Sequence, residues 1–211
     1  MTDRDLQQAT AREDLCRFLS ACYYEPAPEF AEERLFDSML AAAQQLDPEL
    51  AEQARRLGEA FAAEDLQTLR VDYTRLFLGP VAPRARPYGS SWLGGEGAPM
   101  EESTLAVLDL YREGGFEIDE DFRDLPDHVA VELEFLYVLN FRQNQARGLG
   151  DGSARAESEQ LQQRFLADHL ARWIGPFSAA VRAGAETAFY RELAAMTERF
   201  VLGFEHGATR H

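Results

Sequence analysis

The sequence predicts an all-α fold: a single domain of about ten helices, in orthogonal and up-down arrangement, interrupted by one long mid-chain loop. Three observations predict it. Apolar residues recur at helical spacing through most of the chain. No segment sustains the period-two alternation of a half-buried strand. The breaks in the helical pattern fall at Pro, Gly and Asp positions that stop or start helices. With 211 residues, 45% hydrophobic and 27% charged, the chain has enough apolar material for one core without disulfides or metals.

Residues 5–24 place Leu15, Phe18, Leu19 and Cys22 on one helical face, and Pro26 and Pro28 end that segment. A second helix is expected over residues 28–46, with Phe30, Leu35, Phe36, Met39 and Leu40 apolar. Asp47-Pro48 reads as a cap followed by proline in the first turn, opening a third helix to residue 62. A fourth, over residues 65–78, carries Leu66, Leu69, Tyr73, Leu76 and Phe77. The Gly- and Pro-rich run 79–99 then breaks the pattern; Tyr88, Trp92 and Leu93 inside it argue against a plain linker and make 79–100 a candidate hinge. Helices are expected again over 101–113, stopped by Gly114-Gly115, and from Pro126 onward. Residues 129–141 are apolar on most faces, the mark of a central buried helix. Gly148 to Gly152 form a polar break, a helix follows over 154–173, Gly175-Pro176 is expected to interrupt it, and a last helix spans 186–204.

Charge and composition exclude several functions. A net charge of −16 repels phosphate backbones and anionic lipid surfaces, and attracts basic peptides in a salt-sensitive way. Every cationic side chain is Arg, so neither a Walker-type phosphate loop nor a pyridoxal Schiff base is available. Cys16 and Cys22, six positions apart on one helix, lie about 9 Å apart along its axis, beyond disulfide reach; buried, reduced thiols are expected. The acidic N-terminus lacks the apolar region of a cleaved secretion signal, and no stretch reaches the length of a membrane span, so cytoplasmic residence is expected.

Candidate chemistry is sparse. His128 and Glu132 share a helical face, but no further ligands accompany them in sequence. Glu132 and Glu134 point about 200° apart on a helix and cannot flank one bond; burial against Arg partners is the expected arrangement. Tyr73, Leu76 and Phe77, ending a helix just before the loop, suit either the core or a groove for an apolar peptide. The Gly94-to-Gly97 run reads as a turn. No nucleophile elbow is present.

Four motifs in order resemble the TorD/DmsD/NarJ family of redox-enzyme maturation chaperones. They are Tyr73-x-x-Leu76-Phe77-x-Gly79-Pro80; Pro87-Tyr88-Gly89-Ser90-x-Trp92-Leu93 with Ser103-Thr104-Leu105; Pro126-Asp127-His128 with Glu132-Leu133; and Phe165-Leu166 through His169-Leu170 to Trp173 and Phe177. The resemblance implies an all-α chaperone without catalysis or cofactor. It implies as partners the apo catalytic subunit of a molybdenum enzyme, that subunit's N-terminal twin-arginine signal peptide, and proteins of molybdenum-cofactor biosynthesis, as monomer or homodimer, with no nucleic acid and no membrane insertion. Carried over residue by residue, it marks Tyr73, Leu76, Phe77, Pro87, Tyr88, Trp92, Asp127 and His128 as client-binding. The physical reading is compatible: Asp127 would pair an arginine, while Leu76, Phe77 and Trp92 would cover the apolar stretch behind it. The alternatives are an assembly factor for a non-exported nitrate-reductase-type enzyme, an adaptor retained in a finished complex, and a small metal-dependent hydrolase using His128, Glu132 and Glu134.

Overall fold

A computed structural model of the chain describes residues 2–79, 82–94, 100–119 and 124–207, the side chains of 100, 101 and 205–207 aside. Among these residues every regular element is helical, and the one β-bridge joins Tyr88 to His128. The helices are α1 (Asp3–Ala21), α2 (Glu29–Glu32), α3 (Leu35–Gln44), α4 (Pro48–Ala63), α5 (Leu66–Tyr73), α6 (Ser90–Leu93), α7 (Met100–Glu113), α8 (Val129–Leu149), α9 (Gly152–Phe165), α10 (Ala171–Gly184) and α11 (Ala188–Gly207). Two π-helical turns, Thr74–Leu78 and Leu166–Leu170, continue α5 and join α9 to α10.

Local chemistry sets most of the boundaries. Thr2 and Asp5 form a reciprocal capping box on α1. Asp47 accepts the Glu49 and Leu50 N–H groups ahead of Pro48, as the sequence predicts. Gly150, at φ 70°, closes α8 in the left-handed region that glycine tolerates, and Asp151 at once caps α9.

The expected helix over 28–46 is in fact two. Arg34 adopts φ 54° and breaks it between α2 and α3. The expected interruption at Gly175-Pro176 does not occur: Pro176 lies inside α10. A proline there costs about 3 kcal/mol, but Trp173, Ile174, Phe177 and Val181 of the same helix are fully buried, each worth roughly 1.5–3 kcal/mol. Packing therefore outweighs the local penalty. The predicted loop also contains the short α6, while residues 80, 81 and 95–99, including Gly95 to Gly97, lie outside the described residues.

Helix α8 is the axis of the bundle. α1 packs along one side and α9 along another, while α11 lies between α4 and α10. Apart from Ala9 and Ala146, the buried apolar side chains form one connected cluster running from Ala11 to Val201. Cys16 and Cys22 are both free and fully buried in it. Asp72, also buried, accepts hydrogen bonds from the Glu186 and Thr187 N–H groups and the Thr187 hydroxyl, which fastens α5 to the start of α11. Among the described residues no helix is long and apolar enough to cross a membrane.

Candidate functional site

The mid-chain loop is held against the start of α8 by a short two-sided ladder. Pro87 offers its carbonyl to the Val129 N–H at 2.8 Å, and the Gly89 N–H donates to the Asp127 carbonyl at 2.9 Å. The Asp127 side chain completes the clasp, its Oδ2 accepting the Ser90 N–H at 2.7 Å. Pro87 and Asp127 are therefore buried structural contacts.

His128 is the N-cap of α8, its Nδ1 accepting the Ala130 N–H at 3.1 Å. Burial pushes its pKa down to about 4, although Asp124 and Asp127 pull the other way. The imidazole is thus neutral near pH 7, as a capping acceptor must be. Its ring lies between two tyrosines: Tyr24 stacks at 6.2 Å and Tyr88 meets it edge-on at 5.5 Å.

Both phenols reach the surface and end on acids. Tyr88 Oη donates to Asp124 Oδ1 at 2.6 Å, and Tyr24 Oη donates to Glu134 Oε1 at 2.8 Å. Burial first, and then those carboxylates, raise both phenol pKa values above the ordinary range. Tyr73 is pushed up to about 12 by burial and by the nearby charges of Asp124 and Glu25. Glu25, Asp124 and Leu125 are exposed, and Tyr24, Tyr88 and Glu134 are half-buried. The result is an aromatic platform rimmed by three carboxylates.

Behind the platform lies a second layer. Tyr73 and Phe77 pack edge to face, Phe77 meets Phe177, and Phe177 carries the half-buried Trp92. The Trp92 indole N–H donates to the Arg86 carbonyl at 2.8 Å. Leu76 and Phe77 are 0% and 3% exposed, so a ligand cannot remove them further from water. In the unliganded chain Leu76, Phe77 and Asp127, expected to meet the client directly, are buried and build the floor of the platform. Of the eight residues singled out in the sequence, Tyr88 and Trp92 retain clear access to solvent.

Glu132 and Glu134 diverge as their spacing requires, but neither meets an Arg among the described residues. Glu134 accepts from Tyr24 and Ser20 on the outside. Glu132, fully buried, accepts the Trp173 indole N–H at 3.1 Å and lies 3.0 Å from His169 Nδ1. That last contact is an electrostatic pairing whose angles fall short of a good hydrogen bond. Burial works against a charged His169, yet the Glu132 charge overcomes it and holds the imidazole pKa above its ordinary value. His128, Glu132 and Glu134 thus serve three separate environments, and no group of three or more metal-ligating side chains is assembled among the described residues.

Sequence reasoning missed Tyr24, Glu25 and Asp124. Tyr24 and Glu134 are 110 positions apart, and no local periodicity links them. The Tyr23-Tyr24 doublet at the end of α1 was the available signal: Tyr23 turns into the core while Tyr24 turns out.

Residues 43–179 match the family model described as nitrate reductase delta subunit. The chain is similar to the chaperone protein TorD of Shewanella loihica, with 30% identity over 179 residues, 81% of this chain and 77% of that one. It is likewise similar to the chaperone protein TorD of Photobacterium profundum, 31% identical over 150 residues, 69% of this chain and 68% of that one. The solved structure of an Archaeoglobus fulgidus protein assigned to redox enzyme maturation aligns with a TM-score of 0.53 at 22% identity, covering 90% of this chain and 93% of that one, and so shares its fold.

Proposed function

Because the chain belongs to the nitrate reductase delta subunit family, the TorD/NarJ chaperones, we propose that it escorts the apo catalytic subunit of a molybdenum-containing oxidoreductase. It is a chaperone and not an enzyme. In this reading it works in the cytoplasm and binds the client's N-terminal twin-arginine signal peptide. It holds the subunit until cofactor insertion is complete and so delays export.

The observation that carries the reading is the acid-rimmed aromatic platform. Asp124 and Glu134 supply negative charge where a pair of guanidinium groups would sit, on a molecule already at −16, while Glu25 beside them is paired with Arg70 at 3.0 Å. Tyr24, Tyr88 and Leu125 supply partly exposed apolar surface beside them. Further burial of two or three such side chains, at roughly 1.5–3 kcal/mol each when complete, less the cost of ordering the peptide, gives about micromolar affinity. A client that must be released needs no more. Tyr73, Leu76, Phe77, Pro87, Asp127 and His128 act by holding the platform and the Trp92 loop in place.

Calorimetric titration with a synthetic leader peptide tests this. The wild-type protein binds one peptide, more weakly as salt rises. Asp124→Asn with Glu134→Gln weakens binding about tenfold, the scale of one or two charge-assisted hydrogen bonds. Unchanged affinity in that double variant contradicts the placement of the arginine pair. The family model's own description favours a second reading, assembly of a non-exported nitrate-reductase-type enzyme; equal capture of apo subunit with and without its leader would select it.

A further inference from the structure

We propose that the client surface continues from the platform along the outer face of α8, and that this face receives the apolar stretch following the client's arginines. The inference rests on the client reading above and extends it from Glu134, at the platform's edge, to a surface beyond the motifs.

Helix α8 buries one face throughout its length, with Leu133, Leu136, Leu139 and Asn140 among the buried residues. Its opposite face should then be polar. Instead, Glu134, Tyr137, Val138, Phe141, Gln145 and Leu149 follow one another at helical spacing on the outside. Phe141 is 42% exposed and Leu149 is 81% exposed. The Tyr137 and Phe141 rings stack at 6.1 Å, forming an aromatic pair at the surface. The neighbouring cation, Arg142, is turned away, its guanidinium bonded to the Gly114 and Gly115 carbonyls. Beyond Glu134 the stripe's own residues are uncharged, and at its far end Gln145 and Leu149 border a groove whose opposite wall mixes both signs in Glu157 and Arg164.

That polarity selects the occupant. Glu134 belongs to both surfaces: it receives the Tyr24 hydroxyl at the platform and begins the stripe. A segment with cations at its head and apolar residues behind them meets acid first and hydrocarbon next. Its chain must then run parallel to α8. From Glu134 to Leu149 the helix rises about 22 Å, room for about fifteen helical residues, or about seven extended ones. A second copy of this chain fits the stripe less well. Each copy carries −16, and a few exposed side chains fall short of the roughly 1,000 Å² that a stable interface buries.

The test uses the full chain and two synthetic peptides: an Arg-Arg head followed by a Leu-rich run, and the head alone. Phe141→Ser combined with Leu149→Ser should weaken the long peptide by about tenfold or more and leave the head peptide unchanged. Leu149→Ser alone, at the most exposed position, is the control that cannot unfold the bundle and should give part of the loss. A photoreactive group at the apolar end of the long peptide should cross-link to residues 145–149, and one at its head to residues near 134. Equal affinity of the long peptide for wild type and double variant, or cross-links in the reverse order, overturns the stripe and leaves the platform reading intact. If neither peptide binds wild type, the two readings fall together. Dimerisation of the wild type in sedimentation, abolished by the double variant, would assign the stripe to self-association and overturn the proposal.

Discussion

At the scale of single residues, His128 joins stability to the platform. Its folded pKa, near 4, lies below the ordinary 6.5 because burial disfavours the imidazolium. A depressed base contributes stability that is complete above the unfolded value and is lost as pH falls toward the folded one. Protonation would also remove the acceptor that caps α8 and place a cation at the positive end of the helix dipole. Asn can cap without titrating, so the stability difference between wild type and His128→Asn should shift against wild type by up to ~3 kcal/mol between pH 7 and pH 4. Denaturant melts at the two pH values check this; a pH-independent difference contradicts it. The oppositely signed contribution of His169, whose pKa is raised, is common to both proteins and cancels. Gly89 is a second such residue. A Cβ there would lie 2.9 Å from His169 Cε1, 3.0 Å from Glu132 Oε1 and 3.0 Å from Trp173 Nε1. Gly89→Ala should cost about 1–3 kcal/mol in the same melts, and an unchanged midpoint would show that the loop does not sit against that buried cluster.

At the scale of elements, the helix starts with polar caps were legible because one or two neighbouring side chains decide them: Asp47-Pro48 opens α4 and Asp65 opens α5, as the pattern suggests. The errors arose where tertiary contacts decide. Nothing near residue 34 signals a left-handed turn, since Arg is a good helix former, and nothing near Pro176 shows that Trp173 and Phe177 are being driven into the core. The two π-helical turns are also invisible to a 3.6-residue period. They carry Leu76 and Phe77 in one case and His169 in the other, which places two of the four family-like motifs where the backbone departs from the α-helix. Arg34 gives a direct check. Its left-handed backbone costs about 1–2 kcal/mol in a residue with a Cβ, and its ion pair with Asp37 is largely exposed and contributes little. Arg34→Gly should therefore raise stability by about 0.5–1 kcal/mol even after the entropy cost of glycine; a lower thermal midpoint would mean that the break between α2 and α3 is held by more than backbone shape.

For the whole molecule, fold class and family were legible because composition, periodicity and four ordered motifs all point the same way. The proposed client surface was not. The motifs mark the residues that hold the loop to α8, and those are mostly buried; the exposed acids and Tyr24 come together only when α1, the 124–128 turn and α8 are assembled. Three stretches far apart in sequence, around residues 24–25, 88 and 124–134, thus create one electronegative, aromatic patch on a strongly acidic protein. Leu125, 43% exposed, sits beside Asp124 in that patch, whereas Leu105, 61% exposed, lies on α7. Photo-cross-linking from these two positions to the same Arg-Arg leader peptide separates them. A benzophenone side chain replacing Leu125 should capture the leader, and one replacing Leu105 should not; capture from position 105 alone, or equally from both, would contradict the account.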